Sequence, residues 1–120
     1  MGYDDNNIFA KILRGDIPCK KVYEDEYVLA FHDIAPKAPV HILVIPKGKY
    51  ESIADFGSKG SADEVKGFYA AVSRIAGEQG LDTGFRVIAN TGLNGGQEVP
   101  HFHVHIFGGR KLGRMVPPAS

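Results

Sequence analysis

Apolar residues recur at helical spacing in two segments of the chain. In the first, IFAKILR at residues 8–14, they return every four positions after two asparagines, so we expect a short helix capped by an asparagine and ended at Gly15. The second segment covers residues 62–79 and is followed by Gly80, a suitable residue just beyond a helix end. It predicts the one long helix, with an apolar stripe made of Val65, Phe68, Tyr69, Val72, Ile75 and Ala76.

Short β-branched or alternating stretches elsewhere in the chain predict strands. The stretch VHILVIP at residues 40–46 is almost continuously apolar, as expected of a central and well-buried strand. There are too few helices to cross over between parallel strands, so we expect an α+β fold with an antiparallel sheet. The expected strands are residues 20–23, 28–32, 40–46, 85–90 and 101–107, with connecting loops IAPKAP at 34–39 and NTGLNGGQEV at 90–99.

The composition is that of an ordinary globular domain, and its balanced charge argues against some classes of binding partner. Among 120 residues, 43% are hydrophobic and 14 basic residues balance 14 acidic ones. The chain therefore has no excess of positive charge, which is the feature that would indicate nucleic-acid or membrane binding. The first residues lack the pattern of a secretory leader, no apolar run has the length of a membrane span, and the single cysteine, Cys19, has no intrachain disulfide partner. We expect one cytoplasmic domain over residues 1–120, with a polar C-terminal tail and with no nucleic-acid or membrane partner.

Three of the five histidines stand at alternate positions in VPHFHVHIFGGR, residues 99–110. Successive side chains of a strand point to opposite faces, so His101, His103 and His105 share one face while the apolar residues between them share the other. They could simply be polar residues on a solvent-facing strand. Such a face usually carries Thr, Lys, Glu or Ser, however, and a row of imidazoles repels itself on protonation. The alternation therefore indicates a functional site.

Two chemistries suit this row of imidazoles. Two histidines two positions apart can chelate zinc, but the outer pair lies roughly 13 Å apart along a strand, so all three cannot reach one tetrahedral ion. A zinc site made by two of them with His41 stays open. Alternatively, a neutral imidazole is a nucleophile at phosphorus near pH 7, and its neighbours can protonate a leaving group. The glycine-rich loop before the strand offers N–H groups to an anion, which favours phosphorus chemistry.

The stretch HFHVHIF at residues 101–107 resembles the His-φ-His-φ-His-φ-φ signature of the histidine triad superfamily, in which φ is an apolar residue. The stretches IFAKILRGDIPCKKVYEDE, VLAFHDIAPKAPVHILVIPK and RVIANTGLNGGQEVPHFHVHIFGGR are similar to its Hint branch, the purine nucleoside phosphoramidases, and especially to the bacterial members. The resemblance covers residues 7–112, the expected domain core. It implies a HIT-like α+β fold, a five-stranded antiparallel sheet with one long and one short helix, and a homodimer with the two sheets joined edge to edge.

The resemblance also implies a hydrolase that cleaves the P–N bond of adenosine or guanosine 5′-phosphoramidates (AMP and GMP phosphoramidates). His103 is then the nucleophile, and the nucleotidyl-histidine it forms is hydrolysed by water to the nucleoside monophosphate. His105 contacts a phosphoryl oxygen and assists proton transfer, His101 helps to orient the nucleophile, and His41 is the fourth histidine of the site. We expect neither a cofactor nor a metal ion.

The implied nucleotide site departs from the family pattern at three positions. Glu98 stands where other members carry a phosphate-contacting serine, so its backbone N–H is expected to make that contact. Lys49 takes the place of a histidine of some relatives, and Pro100 that of a common aromatic residue. The implied binding residues are Phe31, His32, Asp33, Ile34 and Ile17 around the base and ribose, and Asn90, Gly96, Gln97, Glu98 and Val99 beside the phosphate, with the Asp33 carboxylate able to accept both ribose hydroxyl protons.

Two other functions stay open at the level of sequence. One is hydrolysis of dinucleoside polyphosphates, or nucleotidyl transfer involving nucleotide sugars, as in other triad branches. The other is a nucleotide-binding adaptor that regulates a partner protein without turnover. Rates on a panel of substrates separate all three.

Overall fold

The protein is described by a computed structural model that covers residues 2–116, so the last four residues of the expected polar tail lie outside the described part. Within residues 2–116, no helix is both long enough and apolar enough to cross a membrane. The elements of this part, in chain order, are α1 (Ile8–Leu13), β1 (Lys21–Glu24), β2 (Val28–His32), β3 (Val40–Pro46), α2 (Ile53–Lys59), α3 (Ala62–Glu78), β4 (Arg86–Ile88) and β5 (Val104–Gly108).

The five strands form a single antiparallel sheet in the order β1-β2-β3-β5-β4. This confirms the predicted α+β class. The apolar stretch VHILVIP is the central strand β3, and all of its residues after Val40 are buried. β5 pairs with β3 on one side and with β4 on the other, so the histidine strand lies inside the sheet rather than at an edge.

The two faces of the sheet are covered to different extents. One face carries the larger core, in which Val44 and Ile106 of the sheet pack with Phe68 of α3. The other face carries a smaller cluster under α1, in which Phe9 contacts apolar residues of β2 and β3. Because α1 has only six residues, it covers only part of this second face. The smaller cluster consists of Phe9, Leu29, Phe31, Leu43 and Ile45.

Both predicted helices form, with the predicted ends. The side chain of Asn7 accepts a hydrogen bond from the Ala10 N–H at 2.9 Å and caps α1, while Gly15 ends the turn at φ 84°. Ser61 and Glu64 form a reciprocal capping box at the start of α3. The predicted apolar stripe of α3 is wrong at one position, because Tyr69 is 44% exposed and Ala71 is buried in its place.

The prediction of a single short helix is wrong, because α2 is a second one. Its segment, SIADFGSKG, contains two glycines and reads as a loop. Three local interactions outweigh them: Ser52 caps the Ala54 N–H, the Asp55 carboxylate accepts from the Glu51 N–H at 2.8 Å, and Phe56 is 1% exposed. The ring of Phe56 lies 5.1 Å from that of Phe102 and 5.2 Å from that of Phe68, so one buried aromatic side chain anchors the helix on the core.

The last strand begins three residues later than predicted, at Val104 instead of His101. The N–H of Phe102 donates to the Tyr50 carbonyl at 2.7 Å, so this segment is bound to the loop after β3 and not to the sheet ladder. The predicted alternation of faces is nonetheless confirmed, since Phe102, Val104 and Ile106 all lie in the larger core. Smaller shifts at β1 and β4, to Lys21–Glu24 and Arg86–Ile88, are differences of the strand ends alone.

The packing of α2 predicts a large difference between two apolar truncations on the same helix. Phe56→Ala should destabilise the fold by about 3–5 kcal/mol, because it leaves a cavity between two aromatic rings. Ile53→Ala is the matched control, since Ile53 is 43% exposed, and it should change the free energy of unfolding by less than about 1 kcal/mol. Urea unfolding of both variants measures the difference, and similar values for the two would contradict the assigned anchor.

Candidate active site

The predicted catalytic histidines lie together on the less covered face of the sheet. On this face His41 of β3 is opposite Phe107 of β5, and Leu43 is opposite His105. The His103 and His105 ring centroids are 5.2 Å apart, as are those of His41 and His105. The fold thus brings the three triad histidines and the fourth histidine, His41, into one contiguous row.

His101 is completely buried and has both ring nitrogens engaged. Its Nε2 lies 2.9 Å from the Pro46 carbonyl, which can only accept, so Nε2 carries the proton. Its Nδ1 then accepts a hydrogen bond from the Tyr3 hydroxyl. Burial lowers the pKa of His101 to about 4, so the ring is neutral at neutral pH. His101 therefore has no free nitrogen for substrate, and its role is to support its neighbour.

His103 has its proton fixed by the main chain. Its Nδ1–H donates to the carbonyl oxygen of His101 at 2.7 Å, which leaves a lone pair on Nε2. Burial lowers the pKa of His103, and this keeps the lone pair available. The ring of Phe9 contacts His103 edge-on at a centroid distance of 5.0 Å. A neutral, oriented imidazole of this kind is what nucleophilic attack requires.

His41 and His105 form a directed hydrogen-bonded pair. The backbone N–H of Lys37 donates to Nδ1 of His41 at 3.2 Å, so the proton of neutral His41 is on Nε2. That Nε2–H lies 3.0 Å from Nδ1 of His105 and donates to it, which leaves the His105 proton on Nε2. Burial lowers the pKa of His41, and it lowers the pKa of His105 to about 4. The pair therefore presents one N–H donor, on His105.

The same pair, together with Asp33, has the spacing of a cation site. One ligand atom from each of Asp33, His41 and His105 lies within 4.8 Å of the others. A metal ion there would need the bare Nε2 of His41, and the ring proton would then move to Nδ1. A proton on Nδ1 would point at the backbone N–H of Lys37, whose nitrogen is 3.2 Å away. Two hydrogen-bond donors would then face each other with no acceptor between them. The hydrogen bonds of this site thus fit an imidazole network and do not fit a bound metal.

The residues predicted around the base and ribose follow β2 and differ in their surroundings. Phe31 is buried and lies 5.6 Å from Phe9, whereas His32 and Ile34 are exposed. Asp33 has one carboxylate oxygen on the Ala35 N–H at 2.8 Å and the other 3.4 Å from Nε2 of His41. The carboxylate therefore joins the histidine row, while Ile34, fully exposed, packs on nothing. Ile17 lines a surface cavity of about 300 Å³ beside α1, and no histidine is among the residues that line this cavity.

The glycine-rich loop is held in place by Gln97. Its side-chain oxygen accepts from the Gly92 N–H at 3.1 Å, and its amide nitrogen donates to the carbonyls of Glu51 at 2.5 Å and Val99 at 3.0 Å. The Gln97 amide, predicted as a nucleotide ligand, is thus already occupied in shaping the loop. Asn90 is half-buried at the start of this loop. Gly92 and Gly96 adopt φ of 68° and 73°, a region in which a side chain would be strained.

Two adjacent backbone N–H groups at the end of this loop are available to a ligand. Those of Gly96 and Gln97 donate to the carbonyls of Leu93 and Gly92. Those of Glu98 and Val99 donate to no acceptor within residues 2–116. Only Pro100 separates them from the triad, and the Val99 side chain packs on the smaller cluster while the Glu98 side chain is exposed. The backbone N–H of Glu98 is therefore free to make the expected contact with a phosphate.

Comparison with known proteins agrees with this geometry. Residues 14–112 match the HIT domain family. The chain is 53% identical to an uncharacterised HIT-like protein of Azospirillum brasilense over 95% of this chain and 94% of that one. It is 41% identical to the purine nucleoside phosphoramidase of Escherichia coli K12 over 93% of this chain and 94% of that enzyme. A histidine triad protein from Clostridium difficile has 50% identity and a TM-score of 0.84, covering 97% of this chain and 100% of that one.

The chain belongs to the HIT family.

Among the residues of this HIT domain protein that contact the histidines, Phe9, Lys37 and Tyr3 were not predicted as site residues from its sequence. Phe9 was assigned only to a helix face, Lys37 acts through its backbone, and Tyr3 lies before the first predicted element. A buried aromatic on the short helix is compatible with the helical spacing, so Phe9 could have been found. Neither Lys37 nor Tyr3 belongs to a recognisable pattern. Of the departures from the family, Lys49 forms an ion pair with Asp5 at 2.8 Å, so it is directed to the chain's own N-terminal segment.

The buried histidines of this HIT domain predict a loss of stability in mild acid. Their pKa values are lowered in the folded protein, to about 4 for His101 and His105, whereas an unfolded histidine titrates near 6.5. The unfolded chain therefore binds more protons below pH 6.5, and the free energy of unfolding falls as the pH decreases from 6.5 toward 4. At pH 5.5 the loss should be about 1 kcal/mol for each of these two groups.

Urea unfolding at pH 7.5, 6.5, 5.5 and 5.0 measures this slope above the range in which most carboxylates titrate. His101→Asn should show a shallower slope, because one of the two groups is removed. Equal stability at pH 7.5 and 5.5 would show that the histidines accept protons in the folded state as readily as in the unfolded one.

Proposed function

We propose that this protein hydrolyses the P–N bond of purine nucleoside 5′-phosphoramidates through a nucleotidyl-His103 intermediate. The observation that carries the proposal is the hydrogen bond from Nδ1–H of His103 to the His101 carbonyl, which leaves Nε2 with a lone pair. The lowered pKa of His103 keeps that lone pair unprotonated at neutral pH. Among the four oriented histidines of the site, His103 is the one whose lone pair receives no hydrogen bond within the described residues.

In the first step Nε2 of His103 bonds to phosphorus while the bond from phosphorus to the amine breaks. The leaving amine takes up one proton from solvent and departs as a neutral amine, while Nε2–H of His105, the donor at the end of the His41–His105 pair, hydrogen-bonds a phosphoryl oxygen. His103 keeps its Nδ1–H, so the adduct carries a positive charge on the ring. The His101 carbonyl, 2.7 Å from that N–H, stabilises this charge.

In the second step water attacks phosphorus and the bond to His103 breaks, which releases the nucleoside monophosphate. The proton lost by water returns to solvent and replaces the one taken up by the amine, so the two steps together consume one water and no other reagent. The non-bridging phosphoryl oxygens are held by the backbone N–H groups of Glu98 and Val99, which have no acceptor within the described chain. Backbone donors suit this position because the Glu98 carboxylate itself repels phosphate.

The base and ribose are assigned to the side of the site where β2 ends. Asp33 lies beside His41 with a carboxylate oxygen that can accept ribose hydroxyl protons. Phe31 and Phe9 supply an apolar floor next to it. The preference for a purine is supported by the relative from Escherichia coli, which is named a purine nucleoside phosphoramidase and is 41% identical.

We further propose that two copies of the chain pair through β4. This edge strand is only three residues long and exposes two apolar side chains near it, with Phe85 45% and Val87 40% exposed. The opposite edge strand, β1, carries the charged Lys21 and Glu24, which discourage pairing. Pairing of two β4 edges covers apolar surface and continues the sheet across both protomers.

The proposed activity is tested by steady-state rates on a panel of substrates, with wild type and His103→Ala compared. Adenosine and guanosine 5′-phosphoramidates should be hydrolysed with kcat/KM well above that for diadenosine polyphosphates or nucleotide sugars. His103→Ala should lower kcat by at least about 10⁴-fold, because a covalent nucleophile contributes no less than a strong general base. Its affinity for AMP, measured by calorimetry, should stay within a few-fold.

Three outcomes of this panel would contradict the proposal. Faster turnover of dinucleoside polyphosphates would assign the protein to another activity, and AMP binding without turnover of any substrate would make it an adaptor. A His103→Ala rate within tenfold of wild type would remove His103 as the nucleophile. The same assays after exhaustive dialysis against EDTA should give unchanged rates, whereas a loss restored by zinc would establish a metal-dependent reaction.

The dimer is tested by light scattering on size-exclusion fractions of wild type and Val87→Lys. Wild type should elute as a dimer at micromolar concentration, and the lysine at the apolar edge should shift it toward monomer. Ile53→Lys is the matched control, because Ile53 has a similar exposure on α2, and it should remain dimeric. A monomeric wild type, or a dimer equally weakened by both variants, would contradict pairing through β4.

A further inference from the structure

We propose that the Tyr3 hydroxyl is a positioning group for the nucleophile: it fixes His101, whose backbone carbonyl in turn fixes His103. The inference rests on the proposed function for its kinetic consequence, although its structural part can be tested without any substrate. Tyr3 lies outside residues 14–112, the part of the chain that matches the HIT family. The family match therefore gives no role to this residue.

Two contacts link Tyr3 to the nucleophile. The Tyr3 hydroxyl hydrogen-bonds Nδ1 of His101, and the two rings meet edge-on with centroids 5.5 Å apart. The carbonyl oxygen of His101 accepts Nδ1–H of His103 at 2.7 Å. A displacement of His101 therefore moves the acceptor that determines both the orientation of the His103 ring and the nitrogen that carries its proton.

The direction of the first hydrogen bond follows from the second nitrogen of His101. Its Nε2 faces the Pro46 carbonyl at 2.9 Å and must be the protonated nitrogen, so Nδ1 can only accept. A phenol hydroxyl is a suitable donor to it. Because His101 is 0% exposed, no water can replace this donor without opening the packing. Without Tyr3, the nitrogen would be a buried acceptor with no partner.

Tyr3 is held in this place by the segment that precedes α1. The buried Asn7 side chain donates to the Asp4 carbonyl at 2.7 Å while capping α1. Asp5 is bound at two points, through its carboxylate to Lys49 at 2.8 Å and through its carbonyl to Arg14 at 2.7 Å. Three hydrogen bonds or ion pairs thus attach the residues directly after Tyr3 to the domain. This attachment fixes the position of the Tyr3 phenol beside His101.

The test compares wild type with Tyr3→Phe, which removes one oxygen atom and keeps the ring contact. The expected result is a fall in kcat of about tenfold, the change that corresponds to one lost hydrogen bond to a buried acceptor. KM should stay within twofold, because Tyr3 contacts no substrate. Tyr69→Phe is the matched control, since Tyr69 is exposed on α3, and it should match wild type in both constants.

The structural part is read from the ring nitrogens of ¹⁵N-labelled histidines by NMR. In wild type His101 should carry its proton on Nε2 and His103 on Nδ1. In Tyr3→Phe the Nδ1 resonance of His101 should move as its hydrogen bond is lost, and the Nδ1–H of His103 should exchange with solvent about tenfold faster, because its acceptor is less firmly held.

The outcomes separate this inference from the proposed function. A proton on Nδ1 of wild-type His101 overturns the inference, and this measurement requires no variant. A kcat of Tyr3→Phe within twofold of wild type, or an equal loss in Tyr69→Phe, also overturns it. If wild type hydrolyses no phosphoramidate, the proposed function fails while the NMR result still supports or refutes the link from Tyr3 to His103.

Discussion

The chemistry of this site depends on one hydrogen bond, from Nδ1–H of His103 to the carbonyl oxygen of His101. A neutral imidazole has a single ring proton, so an acceptor at Nδ1 decides that the lone pair is on Nε2. A main-chain carbonyl is a dependable acceptor, because it cannot rotate away or become protonated in the ordinary pH range. The rest of the site serves this bond: His101 is buried to hold the carbonyl, and desolvation keeps both rings neutral.

The fold combines a stable core with a row of mostly buried polar rings by placing the two on opposite faces of one sheet. Helices α3 and α2 cover one face and bury the alternating residues Phe102, Val104 and Ile106. The other face is covered by a six-residue helix and the N-terminal segment, which leave His105 half-buried while His41, His101 and His103 are buried. Full coverage would block the substrate, and none would leave the imidazoles in water with ordinary pKa values.

Sequence periodicity was sufficient for the elements in which one kind of interaction dominates. The central strand, the long helix and the alternation of the histidines all follow from the positions of apolar residues. The helix α2 did not, because its two glycines oppose a helix and the ring of Phe56 finds its partners only in the folded core. The late start of β5 also depends on a distant group, the Tyr50 carbonyl, which competes with the sheet for the same backbone.

In the site, too, some features follow from the sequence and others depend on groups that only the fold brings together. The four histidines and Asp33 could be named from motif and family resemblance, and they do lie together. The proton positions could not be named, because they are set by the carbonyls of Pro46 and His101 and by the N–H of Lys37, and any residue other than proline offers that donor. Gln97 was named beside the phosphate from the resemblance, whereas the three hydrogen bonds by which its side chain shapes the loop could not be predicted from the sequence.

The donor at residue 37 has an evolutionary consequence. Because the main chain supplies the N–H that orients His41, the side chain at this position is free to vary among nearly all residue types without disturbing the proton order of the site. Proline is the exception, since it lacks the N–H, and prolines already stand at the neighbouring positions Pro36 and Pro39. No single-nucleotide change turns a lysine codon into a proline codon, so one-step mutation cannot delete this donor.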